Sequence, residues 1–166
     1  MKQFIIILIV ILIIPVCCEK DSGFVLEIYL LTDYRTKTPG MEIISGSERL
    51  SGSPIIYYHQ IISYDSTDHC FRIETSKANE LNHISWSTRG TAFSLTIDRE
   101  IIYSGYFMPG YSSSGADWFS IDPLSVDSKI YVRLGYPGDI PRLRDIDPRN
   151  DARIINLLKK DNKLNR

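Results

Sequence analysis

Residues 92–107 read AFSLTIDREIIYSGYF, and this stretch decides the fold class. Its first half, FSLTID at 93–98, alternates apolar residues with polar ones. A period of two is typical of a β-strand with one buried face and one solvated face. Asp98-Arg99-Glu100 interrupts the alternation as a turn, and residues 101–105 (IIYSG) return with strand character. The stretch therefore predicts an antiparallel β-hairpin.

The segments on either side of the hairpin predict further strands and one short helix. Thr75-Ser76 offers an N-cap before KANELNHI, whose residues favour a helix with Ala78 and Leu81 facing inward. Runs rich in β-branched and aromatic residues predict the remaining strands. These are expected at residues 24–32, 55–64 (kinked near His59-Gln60), 70–74, 117–121 and 129–134, with an irregular loop at 109–116.

The C-terminal residues predict an amphipathic helix. Asp147 is expected to cap this helix, and Pro148 to occupy its first position. Ile154, Ile155 and Leu158 form the apolar stripe by which the helix would dock on the domain. Because strands outnumber helices, we predict an α+β fold. It has a largely antiparallel sheet, one short internal helix and this C-terminal amphipathic helix.

A long connection precedes the second predicted strand. Residues 33–54 are rich in Thr, Ser, Gly and Pro, with scattered charges and no clear periodicity. Connections of this length in a compact domain are usually functional or mobile. Both interpretations stay open at this point.

The N-terminus has the layout of a secretory signal. Lys2 supplies the positive region, and residues 4–14 (FIIILIVILII) form an apolar run that is too short to span a bilayer comfortably. Cys17-Cys18 follow, and they resemble the lipobox of bacterial lipoproteins, in which a cysteine becomes the lipidated first residue. The alternatives are an ordinary cleaved signal and an uncleaved anchor helix. We predict a signal peptide at 1–17, a tether at 18–23 and a single α+β domain at 24–166, located in the cell envelope or secreted.

Charge and cysteine content restrict the possible partners. Without the signal and its Lys2, 18 basic and 20 acidic side chains remain, a net charge of −2. This charge balance provides no basic surface for binding nucleic acid, and none for binding a membrane either. We therefore expect any membrane contact to be made through an N-terminal lipid at Cys17 or Cys18. Cys70 then has no obvious partner, and we interpret it as a buried small hydrophobe, with a reactive thiol as the alternative.

No motif in the chain specifies a chemistry. Ser112-Ser113-Ser114 does not match G-x-S-x-G, because position 114 is not glycine, and we interpret the serines as a flexible surface loop. His59, His69 and His83 fall in no metal-ligand spacing, and no glycine-rich phosphate loop is present, so we predict no metal and no cofactor. An enzyme is unsupported rather than excluded.

Residues 103–119 are rich in aromatic side chains, and this segment is the best candidate for binding a ligand or partner. Tyrosine and tryptophan offer large contact area at low entropic cost. The alternative is that these rings fill the core of a small β-rich domain. The candidate residues for ligand or partner binding are Tyr106, Phe107, Tyr111, Asp117 and Trp118.

The order of elements in residues 55–107 resembles the periplasmic head subdomain of the SecD/SecDF protein-export factors. In that family a helix precedes a hairpin that reads as an apolar strand, Leu-Asp-Gly-Lys, and a second apolar strand. Residues 97–101 (IDREI) occupy the corresponding hairpin, with Arg99 at the position of the turn glycine. The transport helices of that family are not part of the resemblance, so transport activity is not implied. More broadly, the chain resembles the small uncharacterised lipoproteins of Gram-negative bacteria.

Two functions from different classes follow. The first is a non-enzymatic, lipid-anchored binding module that contacts a protein, peptide or glycan through residues 106–118. The second is a small hydrolase-like enzyme with a histidine–carboxylate pair drawn from His59, His69, Asp98 and Asp117.

Overall fold

The computed structural model describes residues 23–124 and 126–165. The predicted signal, most of the tether and both lipidation candidates, Cys17 and Cys18, therefore lie outside the described residues. Over the ranges that are described, no helix is long and apolar enough to cross a membrane.

The described residues form one nine-stranded sheet with two α-helices and two short 3₁₀ segments. The strands are β1 Leu26–Asp33, β2 Arg49–Leu50, β3 Ile61–Asp65, β4 Cys70–Ile73, β5 Thr91–Ile97, β6 Glu100–Phe107, β7 Ser120–Ile121, β8 Lys129–Arg133 and β9 Leu164–Asn165. The helices are α1 Thr75–His83 and α2 Ala152–Lys160, and the 3₁₀ segments are Tyr58–Gln60 and Pro141–Ile146. The strand order across the sheet is β2-β1-β5-β6-β7-β8-β4-β3-β9.

The predicted hairpin is confirmed as β5 and β6. The two strands pair antiparallel from Thr91↔Phe107 to Ile97↔Glu100. Asp98 and Arg99 form the two-residue turn, with φ of 50° and 65°. Positive φ at both central positions is the geometry whose twist matches that of the flanking strands.

The expected solvated face of β5 is corrected. Ser94 and Thr96 are fully buried, and the apolar residues between and beside them are buried as well. The polar face is covered because Ser94 bonds Ser104 on β6 and Thr96 bonds the Glu27 carbonyl oxygen on β1. The alternating pattern of β5 therefore reflects one apolar face and one polar face, and both faces are buried.

The α+β class agrees with the structure, but the sheet is mixed rather than purely antiparallel. β6 pairs with β7 in parallel through Tyr106↔Ser120, and β3 pairs with β9 in parallel through Tyr64↔Leu164. The first parallel pair arises because the chain leaves β6 through a long loop and returns in the same direction. β7 then joins β6 to β8.

Close approach of backbones makes the β6–β7 junction possible. A Cβ at Gly105 would lie 2.5 Å from the carbonyl oxygen of Phe119. The same carbonyl accepts a 2.9 Å hydrogen bond from the Tyr106 N–H. A side chain at position 105 would therefore separate the two strands at this junction.

The helix predictions have different outcomes. The internal helix is confirmed as α1, with Ala78 and Leu81 buried. The start of α2 is corrected, because its N-cap is Asp151, whose carboxylate accepts the Arg153 N–H at 2.8 Å. Asp147, the predicted cap, instead binds the guanidinium of Arg149.

Arg149 explains why the helix starts late. Its Nη2 lies 2.7 Å from Asp147 Oδ2, and its Nη1 donates to the carbonyl oxygen of Val132 on β8 at 2.9 Å. Tyr64 on β3 also donates its hydroxyl hydrogen to the Arg149 carbonyl oxygen at 2.8 Å. These contacts with two strands hold residues 147–150 in a non-helical connection.

Two hydrophobic clusters lie on the sheet. The larger joins β1 and β3 to β8 to the inner faces of α1 and α2. The smaller packs the long connection and the loops beyond β6 together. Its buried residues are Ile43, Ala92, Tyr106, Met108, Ala116, Trp118, Phe119, Leu134 and Leu143.

Candidate functional site

The structure places the five candidate recognition residues in different environments. Tyr106, Phe107 and Trp118 are buried, with exposures of 2%, 0% and 8%. Tyr111 is 55% exposed, and Asp117 is half-buried. Three of these side chains therefore belong mainly to the core, and a ligand can reach them only where one lines a cleft.

Asp117 orders the long connection. Its Oδ1 accepts the Met41 N–H at 2.8 Å, and its Oδ2 lies 3.1 Å from Arg142 Nη2. A Cβ at Gly40 would lie 2.9 Å from the same carboxylate. Asp117 therefore holds the connection against the loop before β7.

The serine-rich loop is also held in place, in contrast to the flexible loop that we predicted. Tyr111 donates its hydroxyl hydrogen to the Trp86 carbonyl oxygen at 3.2 Å, and Ser112 bonds the carbonyl oxygen of Thr88. Tyr136 donates to the Gly110 carbonyl oxygen at 3.2 Å. The loop thus bonds to segments on both sides.

A cleft of about 210 Å³ opens between the long connection and β6. We call it the Glu48 cleft. Its walls come from the connection, from β6, from the residues just before β7 and from the end of the second 3₁₀ segment. The lining residues are Ile43, Ser45, Glu48, Ile101, Ile102, Tyr103, Ser104, Trp118, Phe119, Ile146 and Pro148.

A short chain of hydrogen bonds leads to the Glu48 carboxylate. Ser94 and Ser104 have their hydroxyl oxygens 2.7 Å apart on neighbouring strands of the hairpin. Ser104 donates to Glu48 Oε1 at 3.1 Å, so Ser94 is the donor to Ser104. Trp118 Nε1 donates to the Ser104 carbonyl oxygen at 2.9 Å, which fixes the indole in the wall of the same cleft.

The second oxygen of Glu48 has no such partner. Oε2 is buried and accepts no hydrogen bond from the residues that the structure describes. Leaving a buried polar group unpaired costs about 1–3 kcal/mol, and more for a charged group. A carboxylate oxygen accepts only, so Oε2 lacks a hydrogen-bond donor among the described residues.

Aromatic rings form part of the wall of the Glu48 cleft. The rings of Trp118 and Phe119 have centroids 4.7 Å apart, and those of Tyr103 and Phe119 are 6.0 Å apart at 65°. Burial raises the pKa of Tyr103 well above its ordinary value, so its phenol stays neutral. The site combines apolar rings with an acceptor that needs a donor.

The residues of the hydrolase alternative lie apart. His59 is exposed and stacks on Tyr57, while His69 Nδ1 lies 3.3 Å from the Tyr64 hydroxyl. Burial lowers the pKa of His69, which keeps the imidazole neutral. Asp98 lies in the hairpin turn, where its Oδ1 accepts the Val25 N–H at 2.9 Å.

No histidine and carboxylate among the described residues form an ion pair within 4.0 Å. The geometry therefore does not assemble the pair that this alternative requires. Nor do the described side chains include a group of three or more His, Cys, Asp or Glu placed to hold a metal ion. Cys70 is a free, buried thiol whose pKa is raised by burial, in agreement with its interpretation as a small hydrophobe.

Sequence reasoning missed Glu48 and Ser104. The only signal was the length of the connection at 33–54, which indicated a functional or mobile segment without indicating a residue. Ser104 looked like part of an ordinary strand. The unpaired oxygen arises only when Glu48 folds against β6.

Comparison of the chain with protein-family models, with curated proteins and with solved structures gave no match.

Proposed function

We propose that this protein is a non-enzymatic binding module of the cell envelope, a small lipoprotein that binds a glycan in the Glu48 cleft. The observation that carries the proposal is Glu48, which lines a cleft partly walled by aromatic rings and whose buried Oε2 accepts no hydrogen bond from the described residues, so a sugar hydroxyl would reach this oxygen once the side chain turns toward the cleft. A sugar offers several hydroxyl donors and apolar ring faces on one small unit. It therefore matches both features of the cleft.

The size of the cleft supports a small ligand unit. At about 210 Å³ it lies below the range of about 300–1,000 Å³ that is typical of pockets for drug-sized molecules. One ring at the end of a glycan fits this scale better than an extended segment. Ile146, which lines the cleft, is 52% exposed, so the cleft is open to solvent on this side and further sugar units can extend outward.

Binding is tested by titrating the purified protein with glucose, galactose and N-acetylglucosamine, followed by tryptophan fluorescence and calorimetry. Trp118 lines the cleft, so occupancy should change its emission. Glu48→Gln should weaken binding about tenfold or more, because it replaces a charge-assisted hydrogen bond. The matched control is Glu42→Gln, which alters a carboxylate paired with Lys37 on the same connection and should bind like wild type.

Two results would contradict the glycan proposal. One is the absence of saturable binding to any of these sugars. The other is equal loss of binding in the Glu48 and Glu42 variants. Binding of an amine such as ethanolamine, without sugar binding, would also refute it and would assign the cleft to a cation.

The envelope location is a separate part of the proposal. It rests on the apolar run at 4–14 and on Cys17-Cys18, with plain secretion as the alternative. Intact mass and detergent partitioning of the native protein test it. An N-terminus at residue 17 or 18 that carries acyl mass supports the anchor, and an unmodified, water-soluble N-terminus refutes it.

A further inference from the structure

A second cavity lies beside α2 and shares no lining residue with the Glu48 cleft. Its volume is about 390 Å³, within the range of about 300–1,000 Å³ that is typical of ligand sites. We call it the α2 groove. It is lined by Phe24, Ile97, Asp98, Glu100, Arg153, Asn156, Leu157 and Lys160.

The groove is formed by α2, by the turn end of the β5–β6 hairpin and by Phe24, two residues before β1. The helical residues 153, 156, 157 and 160 are spaced three and four apart, so they form one face of α2. The end of the hairpin faces this side of the helix, and the ion pair between Arg153 and Glu100 joins the two elements at 2.9 Å.

The floor of the groove is apolar. Ile97 and Leu157 are 8% and 7% exposed, so only their edges reach the cavity. Phe24 is different, because 61% of it is exposed beside the groove. An exposed aromatic ring next to a mostly apolar cavity is typical of a binding site.

The partners of the charged side chains in the groove indicate whether an anionic or a cationic ligand would fit. Glu100 is paired with Arg153, and Asp98 Oδ1 accepts the Val25 N–H at 2.9 Å. The side chains of Lys160 and Asn156, by contrast, form no hydrogen bond or ion pair with any part of the chain that the structure describes. Of the four charged side chains that line the groove, Lys160 is therefore the one with no partner among the described residues, and the Asn156 amide beside it can also donate a hydrogen bond.

We propose that the α2 groove binds a single-chain fatty acid. The acyl chain lies on Ile97, Leu157 and Phe24, and the carboxylate accepts hydrogen bonds from Lys160 and Asn156. This site is independent of the glycan proposal, because the two cavities use different residues and the ligands have different chemistry.

The test is calorimetry of the purified protein with dodecanoate below its micelle concentration. We expect saturable one-to-one binding that is weaker for dodecyltrimethylammonium, which has a similar chain and a cationic head. Lys160→Gln should weaken dodecanoate binding about three- to tenfold. Phe24→Ser, a change of an exposed residue, should also weaken it.

The matched control is Lys159→Gln. Lys159 is the adjacent exposed lysine of α2 but does not line the groove, so dodecanoate binding should be unchanged. Four results would overturn the proposal: no dodecanoate binding, equal affinity for both head groups, equal effects of the two lysine variants, or binding only to phosphatidylglycerol vesicles. The last result would indicate a membrane contact instead of a fatty-acid site.

Discussion

Replacement of Gly105 by alanine should break the junction between β6 and β7. The added Cβ would lie 2.5 Å from the Phe119 carbonyl oxygen, 3.0 Å from its carbonyl carbon and 3.1 Å from its Cβ. Two of these atoms are backbone, so a change of rotamer cannot relieve the clash. The strands must move apart, and the 2.9 Å bond from the Tyr106 N–H to the Phe119 carbonyl oxygen lengthens or breaks.

The expected cost combines overpacking with one weakened hydrogen bond. Together these destabilise the protein by about 2–4 kcal/mol. For a domain of this size, that loss lowers the midpoint of thermal unfolding by about 5–15 °C. Since Ser104 and Phe119 line the Glu48 cleft, ligand binding there should weaken as well.

Urea and thermal unfolding, followed by far-UV circular dichroism and tryptophan fluorescence, measure this effect. Gly52→Ala is the matched control, because a Cβ at position 52 meets no heavy atom within 4 Å. Gly52→Ala should leave stability unchanged or raise it by about 0.4–1 kcal/mol through the unfolded state. If Gly105→Ala unfolds within about 0.5 kcal/mol of wild type, a close backbone approach at the junction is refuted.

Three further predictions concern α2, its approach and the hairpin turn. Asp151→Ala removes the cap of α2 and should cost about 1 kcal/mol in urea unfolding, whereas an unchanged midpoint would contradict the cap assignment. The pKa of Asp147 is lowered despite the opposing effect of burial, because Arg149 binds its carboxylate. The stabilisation that this pair provides is therefore present above the ordinary carboxyl pKa of about 3.9 and is lost as the pH falls through the lower folded value. Urea midpoints at pH 7 and pH 3 should differ less in Asp147→Asn than in wild type, and equal differences would exclude Asp147 as a contributor. Arg99→Gly relieves the strain of a positive φ of 65° but loses the cation–π contact with Tyr29 at 5.0 Å. We therefore expect the free energy of unfolding to rise by about 0–1 kcal/mol. A clear drop of the thermal midpoint would mean that the Tyr29 contact outweighs the backbone strain.

Local sequence patterns were sufficient to predict the elements whose hydrogen bonds join residues that are near one another in the sequence. The hairpin at 91–107 and α1 belong to this group. The turn at Asp98-Arg99 connects strands that are adjacent in sequence, so alternation and turn chemistry determine the pairing. Ala78 and Leu81 face the core for the same reason, because helical spacing alone places them on one side.

Elements that depend on distant partners were not predictable in the same way. β2 and β9 are two residues long, were not predicted, and form by pairing with a neighbouring strand, while β7 keeps only the last two residues of the strand expected at 117–121. α2 begins after residues 147–150, because Arg149 donates to the β8 backbone and holds this segment outside the helix. Asp147, the cap predicted from the sequence, is therefore not used. In each case, contacts between distant segments outweighed the local preference.

By itself, the sequence determined the α+β class, the hairpin, the two helices in outline and the isolated buried Cys70. It also carries the apolar run and Cys17-Cys18 on which the predicted envelope location depends. Only the tertiary structure decided that the sheet is mixed, that the aromatic segment is largely internal and that Glu48 lies against Ser104. The physical reason is that sequence periodicity depends only on the residues within one helix or strand. Whether a carboxylate oxygen is left unpaired depends instead on which distant segments of the chain pack around it.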